Sequence, residues 1–298
     1  MSSRIKAEPG FWPIIIAGTI ATTVASLGIH IWMLQVLGIP YPDRSSVSAW
    51  AVFLNAALAT WALMTFYAIV RPELSSIAKW QRWLLVAALF AMLKELFRGN
   101  IMNAVVTTAW IYSAAQIISP ALYSLVLAAL VVLLEPRLKG TVARSVAALA
   151  VTAIMTFAIK PGISMLLAPL MEAVAPLNHE DVYPFPYGWY VLTWAYVTYL
   201  EPVLICIVAA SLFWKRLDLQ PRGRLVQFTG LVVLIKGALL PTFLFSLWNS
   251  AGVSQGMLSE SQFLFEAILL GLFGGATWAL ARRHLRAREA PQDRPGTP

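Results

Sequence analysis

Six ionisable side chains lie inside otherwise apolar stretches of this chain: Lys94, Glu95, Arg98, Glu201, Lys236 and Glu266. Three are cationic and three anionic, so the set balances. A charge held in hydrocarbon is expensive, and a residue of this kind normally serves a pathway, a ligand or a partner of opposite sign. Three kinds of chemistry are open to such a set. The ammonium and guanidinium groups can hold an anionic or zwitterionic ligand, the carboxylates can exchange protons, or opposite charges can simply pair and specify helix packing. Counting about 1.5 Å per helical residue puts Lys94, Glu201 and Lys236 near a bilayer midplane and places Arg98 and Glu266 together in the outer half. Depth therefore predicts that Glu201 pairs with Lys236 and Arg98 with Glu266, leaving Lys94 and Glu95 to a shared water-filled cavity. If the chain turned at Gly99-Asn100 instead, Arg98 would reach the outer interface along its own stem.

Neutral polar residues extend these charges into faces, because positions three and four apart share one side of a helix. Thr19, Thr23, Ser26 and His30 form one such face; Asn100, Asn103 and Thr107 form another; Thr198 accompanies Glu201, and Gln262 accompanies Glu266. A cavity between the first, third, sixth, seventh and eighth apolar stretches collects them all. Its candidate binding residues are Lys94, Glu95, Arg98, Glu201, Lys236, Glu266, His30 and Asn103. The alternative for the hydroxyl face is hydrogen bonding between helices, and for His30 a satisfied core position. Pro202 follows Glu201, and Pro241 lies five residues after Lys236. Lacking an N–H, these prolines free the carbonyls of Thr198 and Gly237, as in the broken helices of transporters.

The elements that must carry these residues are plain from composition. The chain is 59% hydrophobic and only 12% charged, with mean hydropathy +0.72, where soluble proteins carry about a quarter charged residues. About 20 helical residues cross a hydrocarbon core of about 30 Å. Eight windows of that kind fall at roughly 12–37, 47–70, 83–108, 112–134, 142–160, 188–214, 225–248 and 260–281. They are apolar all round rather than alternating, which predicts an all-α polytopic transmembrane bundle and excludes a β-barrel. The turn between the third and fourth spans is placed near 108–112, and Ile163 to Val174, after Lys160-Pro161-Gly162, reads as a separate re-entrant or interfacial helix at 163–175.

Orientation follows from basic residues in alternate connections. Arg4 and Lys6, then Arg71, Lys79 and Arg82, then Arg137, Lys139 and Arg144, then Lys215, Arg216, Arg222 and Arg224, and finally Arg282, Arg283, Arg286 and Arg288 fall on one side. Both termini are therefore expected in the cytoplasm of a multi-pass protein of a bacterial inner membrane. Trp80, Trp83, Trp214 and Trp278 mark the inner ends, and Trp50, Trp110 and Trp248 mark outer ones. The apolar run continues past Val24-Ala25-Ser26 to Leu37, so the first stretch reads as a span and not a cleaved signal. The net charge of +8 needs no nucleic acid to explain it; the basic loops and the tail, 282–298, expected to be disordered, can lie against anionic lipid headgroups.

No established catalytic or cofactor motif is present. Gly252-Val253-Ser254-Gln255-Gly256 lies between two apolar helices and not in a strand-turn-helix, and His179-Glu180-Asp181 are consecutive and cannot converge on one metal. The single cysteine, Cys206, sits inside a span and reads as a packing residue. No cofactor is implied. Lys94-Glu95-Leu96-Phe97-Arg98-Gly99 superficially resembles the Glu-Glu-x-x-x-Arg-Gly element of the type II CAAX prenyl protease (Abi) family. Its first acid is Lys, its Glu-to-Arg spacing is one residue short, and intramembrane histidines are missing from the later helices, so membership is not assigned. Gly271 and Gly275 form a GxxxG that serves either packing within the chain or a homodimer. These features fit a carrier or permease for a small anionic or zwitterionic solute, with proton exchange at Glu201 or Glu266. An intramembrane enzyme acting on a lipid or isoprenoid, and a structural or assembly subunit, are the alternatives.

Overall fold

A computed structural model describes residues 9–216 and 220–285. The expectations for Arg4, Lys6, Arg286, Arg288 and most of the basic tail lie outside them. The described chain is all-α and contains no strand. In order the helices are α1 (Phe11–Ile31), α2 (Ala49–Val70), α3 (Lys79–Leu93), α4 (Leu96–Thr107), α5 (Trp110–Gln116), α6 (Ile118–Leu134), α7 (Gly140–Ile154), α8 (Lys160–Val174), α9 (Trp189–Thr198), α10 (Leu200–Phe213), α11 (Pro221–Lys236), α12 (Leu239–Phe243) and α13 (Val253–Ala281).

Among the described residues six continuous stretches are long and apolar enough to cross a membrane: Phe11–Val36, Ala49–Val70, Trp110–Arg137, Gly140–Leu177, Trp189–Phe213 and Val253–His284. The other two windows, 83–108 and 225–248, are interrupted. α3 stops at Leu93 and α4 starts at Leu96, while α11 stops at Lys236 and α12 starts at Leu239.

The distribution of side chains is inverted relative to a water-soluble bundle. On α1, Trp12, Ile16, Ile20 and Val24, spaced by four, are each more than half exposed, whereas Thr19, Thr22, Thr23, Ser26 and His30 are buried. A helix that turns its polar stripe inward and its apolar stripe outward is stable only where its surroundings are apolar.

The expected separate helix at 163–175 does not occur. The chain runs as one helix of 38 residues from Gly140 to Leu177, straight through Lys160-Pro161-Gly162. A π-helical turn at Met155–Ile159, closed by Lys160 N donating to Met155 O, shifts the register so that Pro161 falls in the first turn of α8, where no N–H is needed.

α13 is the axle of the fold, packed against α1, α10, α11 and α12. Its glycines permit that closeness. A Cβ on Gly271 would lie 2.8 Å from the Cα of Thr229 on α11, and one on Gly274 would lie 2.9 Å from the Sγ of Cys206 on α10. Gly271 and Gly275 therefore meet α11 of the same chain. Around these contacts Phe66, Phe213, Phe228 and Tyr67 close a dense core, with Phe66 and Phe213 stacked at 6.1 Å.

Contacts between connections sort the molecule into two ends. At one end Arg71 pairs with Glu135 and Arg216 with Glu73. At the other, Ser46 Oγ donates to Trp248 O, Val182 N donates to Val106 O, and Arg44 pairs with Glu260.

Candidate functional site

The site is built where two helices break and a third is locally perturbed. At the first break Glu95 adopts a left-handed conformation (φ 59°, ψ 44°) between α3 and α4. A non-glycine residue pays about 1 to 2 kcal/mol for that geometry, so surrounding contacts must hold it there. The opening N–H groups of α4 have no partner within the helix. Glu201 supplies it, its carboxylate accepting from Phe97 N at 3.1 Å and Arg98 N at 2.6 Å. A negative group at a helix N-terminus also complements the helix dipole.

The second break ends α11. Gly237 is left-handed (φ 68°), its N–H bonds Leu234 O, and Ala238 N bonds Val233 O, the paired bonds of a Schellman ending. Two carbonyls beyond it still need donors. Lys94 Nζ reaches Lys236 O at 2.8 Å and Asn55 Nδ2 reaches Gly237 O at 3.2 Å. A Cβ at Gly237 would come within 3.0 Å of Asn55 Nδ2 and 3.3 Å of Lys94 Nζ, so glycine is required there by contact as well as by φ. The third helix is perturbed without being interrupted: Tyr199, between α9 and α10, stays right-handed (φ −67°, ψ −11°) and follows Thr198, whose carbonyl Pro202 cannot serve.

Between the breaks lies a chain of charge. The Glu95 carboxylate accepts from both the Arg98 guanidinium and the Lys236 ammonium. Lys236 Nζ also lies 3.2 Å from Glu266 Oε1, and Glu266 Oε2 is 3.5 Å from His30 Nδ1, too far for a good hydrogen bond. These side chains are largely enclosed, from 1% exposed at Glu266 to 16% at Arg98. Tyr199 lies beneath the cations, its ring 5.0 Å from Arg98 Cζ and 6.0 Å from Lys236 Nζ, a cation–π arrangement. Its hydroxyl is 2.6 Å from Ser26 Oγ, and Ser26 in turn donates to the backbone oxygen of Glu266 at 2.6 Å.

The pairing predicted from depth is therefore corrected. Lys236 meets Glu95 and Glu266 instead of Glu201; Arg98 meets Glu95 instead of Glu266; Glu201 caps a helix. Depth counting presumed unbroken helices. A left-handed residue at 95 redirects everything after it, so residues four apart across the break no longer share a face.

Two cavities flank the cluster. One, of about 340 Å³, is lined by His30, Tyr41, Arg98, Asn103 and Tyr187. Asn103 donates to Ser113 Oγ at 2.8 Å, which ties α4 to α5. The other, of about 230 Å³, is lined by Arg44, Asn55, Lys94, Glu95, Lys236 and Glu266. Phe263 borders both. Lys94 is exposed into the second cavity and makes no ion pair among the described residues. At its rim Arg44 forms a two-pronged pair with the buried Glu260, at 2.7 and 2.6 Å, and lies over the ring of Phe263. Nearby, Asp43 accepts from Ser45 Oγ and N, and these bonds hold its carboxyl below the usual range.

Asn55, Tyr199, Arg44, Glu260 and Phe263 were not among the residues predicted from sequence. Asn55 carried a signal, being the only amide side chain in α2. Arg44 and Glu260 are 216 positions apart, and nothing local in the sequence joins them. Among the described residues no group of three or more His, Cys, Asp and Glu side chains is placed to hold a metal ion. No family model matches this chain, and neither a curated protein nor a solved structure gives a significant match.

Proposed function

We propose that this protein is a carrier for a small anionic or zwitterionic solute, crossing a bacterial inner membrane eight times with both termini in the cytoplasm. The two interrupted helices, α3 with α4 and α11 with α12, complete the eight crossings, and the segregation of connections to two ends supports that count. The observation that carries the reading is the 230 Å³ cavity at the helix breaks, into which Lys94 presents an ammonium group balanced by no carboxylate. Glu95 and Glu266 are already engaged by Arg98 and Lys236, so the free charge in the cavity is positive. Asn55 Oδ1 is buried without a partner among the described residues and can accept from the amino group of a zwitterion. Helix breaks at charged residues are the usual way in which membrane helices make a solute site, because they expose backbone groups only where a cavity can use them. Glu201 and Glu266 remain the groups proposed to exchange protons.

Uptake of a panel of carboxylates, phosphates and amino acids into proteoliposomes tests this. At least one should be transported, and Lys94→Met should reduce its uptake by about tenfold, the effect of losing one charge-assisted hydrogen bond of about 1.5 kcal/mol. Lys94→Met breaks no ion pair and removes one donor, that to Lys236 O, so the variant should still fold at a cost of about 1 to 2 kcal/mol. Saturable uptake indifferent to Lys94→Met, or none across the panel, would overturn the proposal.

A further inference from the structure

A third and larger cavity lies at the other end of the molecule, away from the charge cluster. It is a groove of about 800 Å³ between the start of α3 and the end of α6. Arg71, Lys79, Arg82 and Arg137 line it together with Trp80 and Trp83. Two ion-paired carboxylates lie nearby without lining the groove: Glu135 is shared by Arg71 and Arg144, and Glu73 by Lys215 and Arg216. Lys79, Arg82 and Arg137 pair with no carboxylate among the described residues. Arg82 is instead committed to the backbone, donating to Ile77 O at 3.0 Å and Ser75 O at 2.8 Å, which fixes the connection forming one wall, while Arg137 gives one N–H to Leu133 O and keeps its side chain exposed.

The remaining wall is hydrocarbon. Ala129, Val132 and Leu133 of α6 line it, and Leu133 is 55% exposed. Trp83 is anchored by its indole N–H to Leu125 O at 2.7 Å, while Trp80 is 60% exposed. Cations, an indole beside them and an apolar wall along the last turns of α6 match the order of groups along an amphiphile: phosphate, glycerol, acyl chain. Tryptophan prefers that same headgroup level. A free phosphate ion would have no use for the apolar wall, and a neutral lipid none for the cations.

We infer that this groove is a binding site for one anionic phospholipid of the adjoining leaflet, its phosphate held by Lys79 and Arg137 and its acyl chain laid along α6. The site is independent of solute movement, and its occupancy is read without any transport measurement.

The test is native mass spectrometry of the full chain titrated with phosphatidylglycerol or phosphatidylcholine of matched acyl chains. Wild-type protein should retain one phosphatidylglycerol with at least about tenfold preference over phosphatidylcholine. Replacing both exposed cations, Lys79→Gln with Arg137→Gln, should abolish the preference, and Trp80→Ala should weaken retention without changing charge. The control Arg222→Gln with Arg283→Gln removes equal charge outside the groove and should change nothing. Equal retention of phosphatidylcholine, an equal loss in the control, or displacement by glycerol phosphate at matching concentration would each overturn the inference. The last outcome would mark a site for free phosphate.

Discussion

Two buried carboxylates in this protein do the same job in different backbone settings. Glu95 is shared by Arg98 and Lys236, and Glu135 by Arg71 and Arg144. Glu135 needs no distortion: it follows α6 in an ordinary right-handed turn (φ −51°, ψ −42°), before Pro136. At a helix end the carbonyls are open to water, and long arginine stems reach the carboxylate while Arg71 stays 38% exposed. Glu95 sits where helices would otherwise continue, and two of them break around it. There the charges and the backbone become one network, because Lys94, Asn55 and Glu201 satisfy the groups that the breaks expose. Placing an ion cluster between two membrane surfaces thus requires rebuilding the helices, whereas placing it at a surface does not.

The comparison rests first on position. Single cysteines replacing Ser46, Asn178 or Ser254 in a Cys206→Ala background should react with a membrane-impermeant thiol reagent in intact cells, and those at Ser76, Thr141 or Gln220 only after lysis. All six positions are exposed, so the result should be all or none. Labelling of residue 76 or 141 from outside would move Glu135 to the wrong surface.

The next largest effect separates the two carboxylates by energy. Glu95→Gln leaves two enclosed cations facing each other and should cost about 3 to 5 kcal/mol of stability. Glu135→Gln should cost no more than about half as much, since Arg71 can recover water. Thermal unfolding of both variants in one detergent measures this. Equal losses would erase the distinction.

A double-mutant cycle then asks which charges meet. Glu95→Gln with Lys236→Met should show coupling above about 0.5 kcal/mol, whereas Glu201→Gln with Lys236→Met should be additive within about 0.5 kcal/mol. Coupling in the second pair would restore the arrangement expected from depth alone. The smallest effect concerns the backbone side of the network. Asn55→Ala removes the donor to Gly237 O and should cost about 1 to 2 kcal/mol, read as a lower unfolding temperature. A neutral result would mean that water serves that carbonyl equally well.

The all-α fold was legible because apolar runs such as Trp110 to Leu134 are long, unbroken and apolar all round, a property of sequence alone. The six charges within apolar stretches were legible for the same reason, standing out against their neighbours. Their partners were not. Glu95 in a left-handed conformation is a tertiary compromise that no propensity announces, and it decides where Arg98 points. Pro161 misled in the opposite direction. Its usual meaning is a helix end, yet the π turn at Met155–Ile159 absorbs it, and that turn leaves no composition signature. Arg44 and Glu260 are 216 positions apart, so only the folded chain could join them.

That distant pair has a mechanical consequence. Gln262 Nε2 also donates to Pro40 O at 2.9 Å, so the connection between α1 and α2 hangs from α13 at two points, Glu260 and Gln262. Glu266 belongs to the same rigid rod, one turn further in, and glycine contacts clamp the far half of that rod. The connection therefore cannot swing aside as an independent flap; it is latched. Because Arg44 is 47% exposed while Glu260 is 3% exposed, the arginine is the half of the latch that faces outward and the glutamate the half that anchors it.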